Sequence, residues 1–251
     1  MDKDIWRKDV EKYGGAFVIW IDQGTDPRLK VHNSNGVCYG MANEFIKAYQ
    51  EGQPGPFTFV NGLRDAYLIW PGTSRIPPKY LQIQSALQAR LTAYKNGLRL
   101  LKLELEKAKQ DKKPAVLEKI QKFMDNSIKQ RYGPGMASYE TFKEDNLTAP
   151  GEILRRMKAT VKTNGPSYFL IFMSDSKSGH AIAFGYRPDL SGSDKYPAIY
   201  EYFDANLGFF VFPSEDKLAD FFNVEVWSEL YGNTEYSSIE IASFTAKKGI
   251  R

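Results

Sequence analysis

The residues in this 251-residue chain best equipped for chemistry are one cysteine, two histidines and one acid near a turn. Cys38 lies in Asn33-Ser34-Asn35-Gly36-Val37-Cys38-Tyr39-Gly40-Met41-Ala42, where a polar, glycine-bearing loop runs into residues with helical spacing. A thiol in the first turn of a helix sits at the positive end of the helix dipole, which favours the thiolate. His180 opens the alternating stretch His180-Ala181-Ile182-Ala183-Phe184, and Asp204 ends the aromatic stretch Tyr200-Glu201-Tyr202-Phe203 before a turn, Ala205-Asn206-Leu207-Gly208. Cysteine, then histidine on a strand, then an acid at a later strand end is the chain order of a nucleophile, a general base and an orienting group. His32 stands six residues before Cys38 on the same loop, an unfavourable geometry for a base, and reads as loop structure.

Each assignment has a plainer rival. A lone cysteine is commonly a small buried hydrophobe, and Asp204 in Asp-Ala-Asn-Leu-Gly fits an Asx turn. Asn206 is a second candidate for the orienting role. An oxyanion needs donors aimed at it. The Cys38 backbone N–H supplies one, and Asn33 and Asn35 are both placed to supply the other. Gln23 stands too far upstream to rank with them.

The elements that must position these groups follow from periodicity. Ile5 to Tyr13 reads as a short helix, Ala16 to Ile21 as a strand, and Val37 to Gln50 as the cysteine helix, with Met41, Phe45, Ile46 and Tyr49 on one face. Leu87, Leu91, Tyr94, Leu98, Leu101 and Leu105 form a heptad seam, and after Pro114 the helical spacing resumes with Leu117, Ile120, Met124 and Ile128. Residues 79 to 132 therefore read as an antiparallel helical hairpin. A helix over about 150 to 163 follows, then strands over 167–173, 180–186, 198–203 and 208–212, a helix capped at Ser214 that reaches Tyr231, and a last strand over 236–244. The class is α+β: helices first, an antiparallel sheet second.

Composition sets outer limits. With 42% hydrophobic and 25% charged residues the chain has the make-up of an ordinary globular protein, and its longest apolar runs fall well short of the roughly 20 residues that span a bilayer. No secretory leader reads from the charged start Met1-Asp2-Lys3-Asp4. One cysteine permits no internal disulfide and no thiol-rich metal site, so a reducing cytosol is expected, with no metal and no cofactor. Between Lys95 and Arg131 stand eleven bases and five acids. That segment carries the chain's basicity, as a solvated helical face or as a surface for an acidic partner or an anionic membrane. No nucleic acid partner is expected.

Three blocks resemble the YopT/AvrPphB-type papain-like effector cysteine proteases of bacteria: Gly36-Val37-Cys38-Tyr39-Gly40-Met41, Gly179-His180-Ala181-Ile182-Ala183, and Phe203-Asp204-Ala205-Asn206-Leu207-Gly208-Phe209-Phe210-Val211-Phe212. Long unmatched stretches separate these blocks. The resemblance implies a papain-like fold over residues 1–251 as one catalytic domain, with the nucleophile helix on an antiparallel sheet and the 79–132 hairpin as an insertion. It also implies Cys38 as nucleophile, His180 as base, Asp204 as acid, and Asn33, five residues before the cysteine, as the oxyanion donor beside the Cys38 N–H. The expected activity is cleavage of a specific host protein after delivery into a host cytosol. The turn reads Asp-Ala-Asn where the family commonly has a proline, and the 142-residue separation of Cys38 from His180 is long for it. Acyl transfer and glutamine deamidation use the same thioester chemistry and stay open, as does a non-enzymatic role for the basic hairpin.

Overall fold

Alternating side chains in the strands after residue 166 build two cores, one on each face of a single sheet. The computed structural model describes residues 2–26, 36–50, 58–63, 76–132, 138–145, 150–164, 167–175, 178–187, 198–232, 236 and 238–245. The strands are β1 (Ala16–Ile19), β2 (Ser138–Asp145), β3 (Ser167–Ser174), β4 (Gly179–Arg187), β5 (Ile199–Asp204), β6 (Gly208–Phe212) and β7 (Ser238–Thr245). They pair antiparallel throughout, in the order β1-β6-β5-β4-β3-β7-β2. The edge strand β2 was not expected from the sequence. Its residues Ser138-Tyr139-Glu140-Thr141-Phe142-Lys143-Glu144-Asp145 are largely polar, and β7 supplies the ladder that fixes them as a strand.

Period-two alternation sends Phe169, Ile171 and Met173 of β3 and Ile182, Phe184 and Tyr186 of β4 to one core, and Tyr168, Leu170, Ala181 and Ala183 to the other. The first face is covered by α1 (Lys3–Lys12), through Trp6 and Val10, and by a helix further along at Pro150–Asn164, through Ile153, Leu154 and Met157. The second face receives α2 (Cys38–Gln50), whose Phe45 stacks on Phe203 at a centroid distance of 5.1 Å. The small side chains Ala181 and Ala183 face this helix, which lets it lie close to β4. The α+β class, with the cysteine helix packed on an antiparallel sheet, is as expected.

The 79–132 stretch folds as α3 (Lys79–Lys107), α4 (Lys113–Asp125) and α5 (Ser127–Tyr132). α4 runs back along α3: Lys119 pairs with Glu104 at 2.6 Å, and Phe123 stacks on Tyr94 at 5.3 Å with the planes 13° apart. This corrects the expected seam of α4. Its inward side chains are Val116, Ile120 and Phe123, while Leu117 and Met124 are 52% and 47% exposed. Gly97 decides the register, because its bare backbone leaves room for the Phe123 ring, where a Cβ would come within 2.7 Å. At the hairpin's end, buried Arg131 pairs with Glu240 of β7. At its start, α3 packs across the first turn of α2, with Gly40 against the Gln84 and Tyr80 backbone. Among the described residues no helix is long and apolar enough to cross a membrane.

The Pro150–Asn164 helix is α6; α7 (Glu215–Phe221) begins at Ser214, whose hydroxyl accepts from the Lys217 N–H, and continues into a π-helix, Phe222–Tyr231. The sequence predicts one uninterrupted helix here. The wider π register puts Phe222, Val226, Trp227 and Tyr231 on the buried side.

Candidate active site

Cys38 is the first residue of α2, and the structure brings it to the sheet end where His180 and Asp204 stand. His180 and Asp204 project to the face that carries Tyr202 and Tyr231, while Cys38 arrives from the helix on the other face. His180 Nε2 lies 2.9 Å from Asp204 Oδ1, and the ring also hydrogen-bonds to the Cys38 thiol, which leaves Nδ1 for the sulfur. All three side chains are almost fully buried, with relative exposures of 3% for Cys38, 4% for His180 and 0% for Asp204.

Burying a charge is costly unless its partners are in place, and Asp204 has four. Oδ1 accepts from the His180 ring and from the Asn206 backbone N–H at 2.8 Å, and Oδ2 accepts from the Tyr202 and Tyr231 hydroxyls at 2.8 and 2.5 Å. The Asx turn and the carboxylate–imidazole contact are thus made by one side chain, two readings that the sequence presents as rivals. Burial would push the Asp204 carboxyl up; the His180 charge, then these hydrogen bonds, outweigh it and hold it below the usual range. Burial would likewise lower the His180 pKa, but the charges of Asp204 and Cys38 and the bonds to them push it up to about 10. For Cys38 burial works against ionisation, and the His180 charge, its hydrogen bond and the Ala181 backbone N–H together bring the thiol below its ordinary value. These shifts all favour a thiolate–imidazolium pair backed by a carboxylate.

Two tyrosines complete this arrangement. Tyr202 is legible in hindsight, since it stands two residues before Asp204 on β5 and shares its face. Tyr231 stacks on the imidazole with centroids 5.3 Å apart and planes at 26°. No local signal marks it, because its placement depends on the π register. Asn206, the alternative orienter, holds its amide nitrogen 3.5 Å from His180 Nε2, a longer contact than that of Asp204. Asn33 and Asn35, the oxyanion candidates, fall outside the described residues.

Gln23, set aside as an oxyanion donor for its distance along the chain, lies beside the nucleophile turn in another capacity. Sequence distance misleads here because pairing of β1 with β6 carries residue 23 to the Asp204 turn, where its backbone N–H donates to the Ala205 carbonyl. The Gln23 side chain accepts from the Val37 N–H at 2.7 Å and donates to Asn206 Oδ1 at 2.8 Å. It therefore bridges the residue before the cysteine to the turn after the acid. Gly36, with φ +97°, lets the loop pass over this amide: a Cβ there would lie 2.6 Å from Gln23 Oε1. Gly208, with φ +116°, closes the other turn at the Ile19 carbonyl, where a Cβ would come within 2.1 Å.

Gln23→Ala is expected to lower kcat about 10- to 100-fold with little change in KM, since it releases both sides of the nucleophile turn. It also leaves the buried Val37 N–H without a partner, costing about 1–3 kcal/mol. Gln23→Glu keeps the acceptor and is expected to recover part of the loss. Steady-state kinetics and urea unfolding of the two variants check this.

An open groove of about 300 Å³ lies beside Cys38. One wall is the β3–β4 turn with Phe172, Asp175 and Gly179; the other is α3 with Gln88, Leu91 and Lys95.

No protein-family model matches the sequence, and no curated protein matches it. Several solved structures do, two of them as follows. One is the Pseudomonas avirulence protein AvrPphB, with a TM-score of 0.45 and 15% identity, covering 85% of this chain and 93% of that one. The other is PatoxP, a cysteine protease-like domain of the Photorhabdus asymbiotica toxin PaTox, with a TM-score of 0.47 and 9% identity, covering 100% of this chain. This chain spans 60% of the length of the PatoxP chain. Both likenesses concern the fold alone.

Proposed function

We propose that the chain is a papain-like cysteine endopeptidase, in which Cys38 attacks the scissile carbonyl, His180 moves the proton and Asp204 orients the ring. The observation that carries the reading is the buried, fully hydrogen-bonded Cys38–His180–Asp204 relay at a helix N-terminus. In the first step the thiolate adds to the peptide carbonyl carbon. The oxyanion takes the Cys38 backbone N–H, one of the first-turn donors without an intrahelical acceptor, and the side chain of Asn33, with Asn35 as the alternative. The imidazolium gives its proton to the leaving amine as the C–N bond breaks, and a thioester forms. Water then adds to the thioester with neutral imidazole as base, and the thiolate leaves as the acid product forms. Asp204 stays ionised throughout and stabilises the imidazolium.

Residues 1–251 act as one catalytic domain in this reading, with the 79–132 hairpin inserted into it. The blocks around Cys38, His180 and Asp204 that resemble the YopT/AvrPphB-type proteases set the proposed biology: a bacterial effector cutting a host protein in the host cytosol. The test is N-terminal labelling and mass spectrometry of plant and animal cell lysates treated with the wild-type chain or with Cys38→Ser. New N-termini made only by the wild type support proteolysis. No new N-termini with either protein would overturn it, and a small mass gain at glutamine without a cut would assign deamidation instead.

A further inference from the structure

We infer that the hairpin is a specificity element of the cleft, and that it selects substrates with an acidic segment beside the scissile bond. The inference rests on the protease reading of Cys38. Its basis is that α3 contributes one wall of the groove at the thiol and then continues past it as a cationic stripe.

The contact between α3 and the nucleophile turn is direct. Gln84 Oε1 accepts the Gly40 backbone N–H at 2.6 Å, satisfying a first-turn donor of α2. From Gln84 the helix rises along the groove. Gln88, Leu91 and Lys95 follow at steps of four, three and four, so they share the face of Gln84. The same steps carry that face on to Arg99 and Lys102, both exposed like Lys95. Leu91, expected in the hairpin seam, belongs to this groove face, which is turned away from the point where Tyr94 and Gly97 meet Phe123. A substrate strand lying along the groove is therefore free to run beside these three cations without displacing α4.

The charges on the groove decide the chemistry of the occupant. Among the described residues none of Lys95, Arg99 and Lys102 is ion-paired, whereas nearby Glu104 is turned to Lys119. The carboxylate on the opposite wall, Asp175, has its oxygens occupied by the Ser178 N–H and hydroxyl at 2.6 and 2.9 Å. Glu106, one turn past Lys102, ends the stripe. From Lys95 to Lys102 the helix rises about 10 Å, the span of about three extended residues. The fitting segment is thus two or three Asp or Glu residues within about four positions, on one side of the cleavage site. Leu91 and Phe172 add apolar surface to the two walls.

The experiment is cleavage-site profiling with a proteome-derived peptide library. Wild-type chain is expected to enrich Asp and Glu on one flank of its cut sites about tenfold at low salt, the product of three exposed ion pairs each worth a few-fold. Lys95→Gln/Arg99→Gln/Lys102→Gln is expected to lose the enrichment, and Lys95→Glu/Arg99→Glu/Lys102→Glu to turn it toward Lys and Arg. Cut sites without acid enrichment, or enrichment unchanged in both variants, would overturn the inference and leave the protease reading intact. Failure of the wild type to cut any peptide would remove the protease reading and this inference with it.

Discussion

Native Cys38 will react with iodoacetamide at pH 7 at least tenfold faster in the wild-type chain than in His180→Ala. An ordinary thiol with a pKa of about 8.5 is only about 3% ionised at that pH, and a buried thiol without a counter-charge is ionised less. In the wild type, burial is outweighed by the His180 charge and hydrogen bond and by the Ala181 N–H, which shifts the thiol toward the thiolate. Removing the imidazole deletes the largest opposing influence and leaves burial in control. The pH profile carries its own sign. The His180 proton is held up to about pH 10, so the ion pair forms as pH rises through the lowered thiol pKa and dissolves as pH rises through about 10. Peptide cleavage is expected to hold across the neutral range and to fall above about pH 10, where no imidazolium remains to protonate the leaving amine. A slow alkylation indifferent to His180→Ala would return Cys38 to the status of a buried structural thiol. One cysteine in the chain makes the readout unambiguous.

What the sequence made legible, and what it hid, follows from how far each signal reaches along the chain. Cys38, His180 and Asp204 were legible because each sits where a local pattern changes: loop to helix, turn to strand, strand to turn. The two-sided strands were legible for the same reason, since alternation such as His180-Ala181-Ile182-Ala183-Phe184 is a local property. Gln23 was hidden because its relevance depends on β1 pairing with β6, a contact across nearly two hundred residues. Tyr231 was hidden because a π-helix and an α-helix share one composition and differ only in register. The face of α4 was misread since Leu117 and Met124 keep helical spacing as well as Val116 and Phe123 do. The choice falls to Gly97 on the opposing helix. The wall that α3 gives the groove was beyond reach for a further reason: nothing in a heptad pattern says which element lies beside it.

Asp204→Asn will lower kcat/KM by about 10³- to 10⁴-fold while costing little stability, and Asp204→Ala will cost about 3–5 kcal/mol of folding free energy. The amide is nearly isosteric, and its hydrogen-bonding capacity suits the site. Its oxygen can still accept from the His180 ring and the Asn206 N–H, and the Tyr202 and Tyr231 hydroxyls can rotate to accept from its nitrogen. What is lost is the charge. Asp204 is the largest influence holding the buried imidazole protonated, so its neutralisation lets burial lower the His180 pKa and the ion pair with Cys38 collapses toward neutral thiol and imidazole. Alanine removes the acceptors as well, and leaves the imidazole, two tyrosine hydroxyls and a backbone N–H facing an empty buried volume. Urea unfolding separates the two variants by stability, and peptide kinetics with Cys38 alkylation separates them by chemistry. Asn206→Ala supplies the contrast. Its amide lies 3.5 Å from the ring against 2.9 Å for Asp204, so its loss is expected to be smaller, acting through the broken bond to Gln23. The reverse order, with Asp204→Asn active and Asn206→Ala dead, would move the orienting role to Asn206 and make Asp204 a turn residue whose charge serves the fold.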